Sequence, residues 1–242
     1  MTYHKFKNRS HAGKALAAEL AERGHLENAI VLALPRGGVP VAYEVAARLQ
    51  APLDVVVVRK LGVPGHEELA MGAIASGGVR VINEMLVWNG DISQETIDLV
   101  AEHEMHELRR REIAYRGHEG APDIQGKMVL LVDDGIATGS TMLAALKAIR
   151  SQRPARIIVA VPVAPPETWA QMNGVADELV CLIMPEVFES VGQWYEDFSQ
   201  TCDEEVTRLL NASGRRASTR NLSSITSTKH ASISPVQESF SA

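Results

Sequence analysis

Two adjacent carboxylates, Asp133 and Asp134, follow an apolar run and precede a segment rich in glycine and hydroxyl residues. The run from Met128 to Val132 predicts a buried strand, and the residues from Ser140 to Arg150 predict a helix. The start of a helix presents unpaired N–H groups and a positive dipole end, which bind phosphate. Carboxylates accept hydrogen bonds from vicinal hydroxyl groups. The junction therefore predicts a site for a ribose 5-phosphate. The residues predicted to contact it are Asp133, Asp134, Gly135, Ala137, Thr138, Gly139, Ser140 and Thr141.

Other interpretations of this junction remain open beside that one. The sequence has no lysine at the position that a Walker motif requires, and no GxGxxG follows an early strand, which argues against the common nucleotide-binding motifs. Asp133 could simply cap a turn. A phosphatase or nucleotide hydrolase could use the two aspartates, but neighbouring residues on an extended strand point to opposite faces, which weakens joint metal chelation.

The segment Val129 to Thr141, with the sequence VLLVDDGIATGST, resembles the phosphoribosyl pyrophosphate motif of type I phosphoribosyltransferases. Gly135 departs from the family pattern, which usually has an aliphatic residue there, although a glycine is compatible with a tight turn. The resemblance extends over roughly Ala29 to Val206. It implies transfer of a 5-phosphoribosyl group to a nucleobase-like acceptor, with release of pyrophosphate. It also implies that Asp133 and Asp134 are catalytic residues that position the ribose near the developing positive charge. Mg²⁺ would be held by the substrate oxygens, with a water-mediated contact to one of these aspartates and no direct side-chain ligand.

A second short motif, Pro35-Arg36-Gly37-Gly38, follows the apolar run that begins at Ala29. Two glycines permit unusual backbone angles, and the guanidinium of Arg36 matches phosphate oxygens. The motif resembles the family's pyrophosphate loop, which assigns Arg36, Gly37 and Gly38 to substrate binding and Arg36 also to catalysis. A plain β-turn with a surface arginine is the alternative.

Arg59 and Lys60 follow the apolar run from Leu53 to Val58, which predicts a second strand. The stretch through Glu68 contains glycine and proline and predicts a mobile loop. It resembles the flexible catalytic loop that closes over the donor, excludes water and brings cations to the pyrophosphate. Both side chains are candidate substrate contacts, and Lys60 is the preferred catalytic one. Charged residues at the end of a strand are also commonly just solvated.

The acceptor side is less well defined than the donor side. The segment from Pro185 to Phe198 loosely resembles the base-binding region of purine-type members, and Phe188 is a candidate to stack on a ring. The spacing from Phe188 to Asp197 does not match the purine pattern, and core packing is an equal interpretation for Phe188. A non-catalytic regulatory protein that binds phosphoribosyl pyrophosphate is therefore the alternative function.

The remaining pattern predicts an α/β fold with a parallel-sheet core flanked by helices, a small hood or insertion and a disordered tail. Further strands are expected at Arg156 to Val161 and Glu178 to Ile183, and a long helix runs from Ser93 to Tyr115 with Ser93 as its cap. Met71 to Ala75 and Val79 to Ile82 predict a hairpin. We expect the transferase-like domain to span residues 1–210 and the serine- and threonine-rich tail residues 211–242.

Bulk composition limits the partners. The 242 residues have a net charge of −6, so no overall positive field attracts nucleic acid or an anionic membrane. The arginines from Arg109 to Arg111 are interleaved with glutamates, which favours ion pairs within a helix over RNA binding. No apolar stretch approaches the roughly 18 residues that a membrane span needs, and the N-terminus lacks a signal-peptide pattern. The two cysteines suit a reducing compartment, which predicts a cytoplasmic protein. Members of the family often form homodimers, and pairing is left open.

Overall fold

The computed structural model describes residues 4–24, 26, 28–117 and 120–214. In chain order the helices and strands are α1 (Arg9–Glu22), β1 (Ala29–Ala33), α2 (Gly38–Leu49), β2 (Leu53–Val55), β3 (Val58–Val63), β4 (His66–Ala75), β5 (Val79–Ile82), α3 (Glu84–Asn89), α4 (Gln94–Arg116), β6 (Met128–Val132), α5 (Ser140–Ser151), β7 (Arg156–Val163), α6 (Pro166–Ala170), β8 (Glu178–Ile183), a 3-10 turn (Val191–Trp194) and α7 (residues 203–214).

The main sheet has five strands in the order β2-β1-β6-β7-β8, and every pair in it is parallel. Side chains alternate between its two faces, as the period of a strand requires. In β6, Leu130 packs into a core with α1 and α2, while Leu131 packs into a second core with α5. Both faces are therefore covered by helices, which confirms the predicted fold class.

A smaller antiparallel sheet, β3-β4-β5, lies between β2 and β6 in the sequence. It forms an insertion with α3 and α4, and its β4–β5 pair confirms the predicted hairpin. The expected single strand from Leu53 to Val58 is wrong, because that run supplies β2 of one sheet and the start of β3 of the other. The change occurs at Val57, whose N–H donates to Ser76 Oγ at 2.9 Å and whose carbonyl accepts from the Ser76 N–H.

The predicted mobile loop after Lys60 is instead a β-hairpin. Val63 pairs with His66, and the two residues between them form a turn in which Gly65 has a φ of 81°. Proline followed by glycine at this point marks a two-residue turn between strands, and not an irregular loop. Arg59 and Lys60 consequently lie within β3.

Helix α4 follows the prediction closely. The Ser93 side chain accepts from the Thr96 N–H, and Gly117 ends the helix with its N–H bonded to the Ile113 carbonyl. Its interleaved charges pair along the helix, since Glu107 accepts from Arg110 at 2.7 Å and from Arg111 at 2.9 Å. Hydrogen bonds from these two arginines lower the pKa of Glu107 to about 2.

After β8 the chain passes through the 3-10 turn, pairs at Tyr195 with Phe6 near the start of the chain, and ends in α7. Residues 211–214, the first four of the predicted tail, continue that helix, and residues 215–242 lie outside the described residues. Within the described part of the chain, no helix combines the length and the apolar character needed to cross a membrane.

Candidate functional site

The two sequence motifs meet at the carboxyl ends of neighbouring strands. β1 pairs with β6 so that Ala33 lies opposite Val132, and the Leu34 N–H donates to the Val132 carbonyl at 3.0 Å. The turn of residues 35–37 and the two aspartates therefore leave the sheet side by side. Open α/β sheets bind ligands at this edge.

The turn and the carboxylate segment are in direct contact because Gly37 and Gly38 lack side chains. A Cβ on Gly37 would lie 2.1 Å from Asp134 Oδ2, and one on Gly38 would lie 2.8 Å from the Val132 carbonyl oxygen. A larger residue at Gly38 would press on the backbone of Val132 and Asp133, and one at Gly37 would displace the Asp134 carboxylate. The peptide bond between Pro35 and Arg36 is cis.

The two aspartates form one partly buried pair. The Asp134 N–H donates to Asp133 Oδ1 at 2.8 Å, and both carboxylates approach the glycine pair. The expectation that they point to opposite faces is wrong, because β6 ends at Val132 and strand alternation no longer applies beyond it. Burial and the Asp134 charge raise the pKa of Asp133 well above its usual value. Burial also raises the pKa of Asp134, against the opposing charge of Arg9.

The N-terminus of α5 begins after a glycine. Gly139 precedes the helix with a φ of 74° and has no side chain with which to cap the first turn. Thr138, Ser140 and Thr141 are exposed around this end. The Thr168 hydroxyl donates to the Ala137 carbonyl at 2.7 Å and holds the preceding loop. The helix start thus offers N–H donors and hydroxyl groups together.

Gly135 is required by packing and not by a special backbone angle. Its φ does not lie in the left-handed region, but a Cβ there would lie 2.6 Å from Val191 Cγ1 and 2.9 Å from Val163 Cγ1. The close approach of these two valines, and not a tight turn, therefore explains why a glycine is present at position 135.

The predicted cations are brought together only in part. Arg36 lies in the turn, and its guanidinium is 3.8 Å from Asp203 of α7. Arg59 Nε donates to Glu104 Oε2 of α4 at 2.7 Å, so this arginine is held by the insertion. Lys60 is exposed on the other face of β3, since neighbouring strand residues alternate.

Two residues at the site were missed by sequence reasoning. Arg9 of α1 donates from Nε to Asp134 Oδ2 at 2.7 Å, and the Tyr195 hydroxyl donates to the Asp134 carbonyl oxygen at 2.5 Å. Neither position carries a local sequence signal, because each contact joins distant parts of the chain. Phe188 is partly buried against the cluster that contains Phe6 and Tyr195, as the core-packing alternative expected.

A family model of the phosphoribosyl transferase domain matches residues 2–198. The chain belongs to the phosphoribosyl transferase domain family. The chain is 45% identical over 210 residues to a Mycobacterium tuberculosis protein provisionally named as a phosphoribosyl transferase. The aligned residues make up 87% of this chain and 47% of that protein. The chain thus spans about half the length of the curated relative. It is 36% identical over 129 residues to the bifunctional protein PyrR of Chloroflexus aurantiacus, covering 52% of this chain and 65% of that one.

A solved structure has a similar fold over most of the chain. The crystal structure of a Thermus thermophilus protein is 44% identical, covers 85% of this chain and 97% of its own, and superposes with a TM-score of 0.76. The transferase domain described here is therefore shared over nearly all of that protein.

Proposed function

We propose that this protein transfers the 5-phosphoribosyl group of phosphoribosyl pyrophosphate to a nitrogen of a nucleobase-like acceptor. The acceptor nitrogen forms a bond to the anomeric carbon while the bond from that carbon to the pyrophosphate oxygen breaks. Pyrophosphate leaves with the electron pair of the broken bond, and the acceptor nitrogen loses its proton to water. No covalent intermediate with the protein is needed.

The observation that supports this proposal most strongly is the contact between the Gly37–Gly38 pair and the Asp133–Asp134 pair. It sets a turn suited to pyrophosphate against carboxylates suited to ribose hydroxyls. The uncapped start of α5 follows directly after the carboxylates and suits the 5-phosphate. The three parts of the donor thus have neighbouring complementary groups.

The proposed transition state is loose and has oxocarbenium character, with charge developing on the departing pyrophosphate. Arg36 and Lys60 would stabilise that charge, and groups positioned beforehand for it lower the barrier more than groups that must reorganise. Asp133 and Asp134 would orient the ribose and lie near the developing positive charge. The β3–β4 hairpin, which contains Lys60, takes the role of the closing element in this proposal.

Magnesium fits this arrangement as a partner of the donor. Across the described residues, no group of three or more histidine, cysteine, aspartate or glutamate side chains could hold a metal ion. Two carboxylates remain at the site, and Mg²⁺ commonly keeps several waters while it binds one or two carboxylates and substrate phosphates. Asp133 or Asp134 would hold it through water, and the ion would supply charge neutralisation to the pyrophosphate.

The proposed acceptor is defined by its chemical class and by the part of the site that it would occupy. A purine, pyrimidine or nicotinate-like ring would lie on the side of residues 185–198, where Phe198 has 36% of its surface exposed. We also propose, from the sequence and the family, a role in nucleotide salvage, a cytoplasmic location and no nucleic-acid partner. Pairing of two chains is left open.

Donor binding is tested with the double variant Asp133→Asn and Asp134→Asn. Magnesium and phosphoribosyl pyrophosphate should raise the melting temperature of the wild type, because a ligand that binds only the folded state stabilises it. The double variant should fold and lose that shift. Asp98→Asn is the control, since Asp98 is an exposed aspartate paired with Arg80 on the insertion. An unchanged shift in the double variant would falsify donor binding at this pair.

Transfer is tested separately by measuring pyrophosphate release across purine, pyrimidine and nicotinate acceptors. Release that depends on one acceptor class supports the enzyme and names that class. Silence across the panel, with donor binding retained, favours the non-catalytic binding protein instead.

A further inference from the structure

The start of α1 is fastened beside the two aspartates by the C-terminal part of the fold. The Phe6 N–H donates to the Trp194 carbonyl, and the Glu196 N–H donates to the Phe6 carbonyl, both at 2.8 Å. The Asp197 N–H donates to the Lys7 carbonyl at 3.0 Å. These backbone bonds fix the segment immediately before Arg9. The arginine is thereby presented to the site from a rigid support.

Three contacts hold the guanidinium of Arg9. Its Nε donates to Asp134 Oδ2 at 2.7 Å, and its Nη1 donates to the Ser199 carbonyl at 2.6 Å. Its Cζ lies 3.9 Å from the centroid of the Phe198 ring. The side chains of Arg9 and Asp134 are only 12% and 13% exposed. Such a pair is screened far less than a surface ion pair.

An arginine at this position is unfavourable for α1 itself. A cation in the first turn opposes the positive end of the helix dipole, and partial burial removes water from the guanidinium. The helix therefore does not account for Arg9, and the compensating group is the Asp134 carboxylate. Among the ion pairs of the described residues, that of Arg9 is the one that reaches the two aspartates.

The contact also determines which oxygen of Asp134 is left for a ligand. Oδ2 is the oxygen nearer to the Cβ position of Gly37, at 2.1 Å against 3.2 Å for Oδ1, and it is the oxygen that Arg9 holds. The Arg9 contact therefore leaves Oδ1 as the oxygen of Asp134 that would accept from a hydroxyl group. Arg9 in addition offsets the repulsion between the two neighbouring carboxylates, which burial strengthens.

We propose that Arg9 is a positioning residue of the donor site: it holds the Asp134 carboxylate so that Oδ1 accepts a hydrogen bond from the ribose of the donor. This inference rests on the proposed donor binding. Arg9 acts through Asp134 and not on the pyrophosphate, which the glycine turn would bind. The loss of Arg9 should therefore affect the ribose half of the donor selectively.

The test compares the affinities of three ligands by calorimetry in the presence of magnesium: phosphoribosyl pyrophosphate, ribose 5-phosphate and pyrophosphate. Arg9→Met should weaken the two ribose-containing ligands about 10- to 100-fold, the range expected when a hydrogen bond to a charged group is lost. Pyrophosphate should bind as in the wild type. Arg9→Lys should recover part of the loss, because it keeps the charge but not the planar fork.

Arg23→Met is the matched control, because Arg23 ends the same helix and pairs on the surface with Glu19 and Glu178. If Arg9→Met does not fold, Phe198→Leu replaces it. Removal of the ring should weaken the ribose-containing ligands about 2- to 5-fold, by the usual strength of a cation–π contact, and spare pyrophosphate.

Two results would overturn the inference while leaving the proposed function intact. One is wild-type affinity for all three ligands in Arg9→Met. The other is an equal loss for all three, which indicates a merely structural role. A wild-type protein that does not bind phosphoribosyl pyrophosphate overturns the proposed function first, and the role of Arg9 with it.

Discussion

Replacement of Gly135 by alanine tests how tightly the carboxylate segment is packed. The new methyl group would lie 2.6 Å from Val191 Cγ1 and 2.9 Å from Val163 Cγ1. Favourable contacts between carbon atoms lie at about 3.5–4.0 Å, so the overlap is about 1 Å. Val163 is fully buried in β7, and the Ile136 N–H donates to its carbonyl at 2.9 Å. The segment therefore cannot move away from the strand without losing that bond.

The expected net loss is about 1–2 kcal/mol of the free energy of unfolding. Overpacking of a core costs about 1–3 kcal/mol. Part of that cost is offset, because alanine can adopt the φ at this position and lowers the conformational entropy of the unfolded chain, which stabilises the folded state by about 0.4–1 kcal/mol. For a chain of this size the melting temperature should fall by roughly 2–8 °C.

Urea unfolding of four proteins measures the effect: the wild type, Gly135→Ala, Val191→Ala and the double variant. Val191→Ala removes both Val191 methyl groups that meet the new atom, so the double variant should recover about 1 kcal/mol relative to the sum of the single changes. Gly120→Ala is the control, because no atom lies within 4 Å of its Cβ position. Strictly additive losses, or a Gly135→Ala protein as stable as the wild type, would refute the packing argument.

Two further predictions concern the contacts of Asp203. The Tyr115 hydroxyl donates to Asp203 Oδ1 at 2.7 Å, and burial raises the pKa of Tyr115 to about 12. Tyr115→Phe should cost about 1–2 kcal/mol at neutral pH. The Tyr115 hydroxyl keeps its proton in the folded state, whereas in the unfolded chain it loses the proton near pH 10. The stability difference between the wild type and Tyr115→Phe should therefore decline between about pH 10 and 12, as measured by urea unfolding across pH. A constant difference would contradict it. Asp203→Asn should free Arg36 from its 3.8 Å contact with Asp203. Pyrophosphate binding measured by calorimetry should then tighten by up to about fivefold, since half-exposed ion pairs contribute up to about 1 kcal/mol. Weaker pyrophosphate binding would refute that role for Asp203.

Much of the fold could be predicted because its signals are local. The apolar run of β6 and the hydroxyl-rich start of α5 lie within a few residues of each other, and each follows from the period and chemistry of its own segment. The start of α4 was predicted by Ser93 for the same reason. The sequence by itself therefore determined the parallel α/β core, the carboxylate motif that we propose to bind the donor, and the turn beside it.

Tertiary structure decided what depends on distant partners. The run of residues 53–58 is largely apolar throughout, yet it supplies strands to two different sheets. The division occurs at Val57, whose backbone N–H and carbonyl are hydrogen-bonded to Ser76. The reason for Gly135 lies in two valines from other segments. Arg9 lies 125 residues from Asp134, so only the closed chain brings its guanidinium to the carboxylate. The local sequence pattern predicts where a helix start and a pair of carboxylates lie. The arginine that pairs with a carboxylate and the valines that pack against the segment come from distant parts of the chain, which no short segment contains.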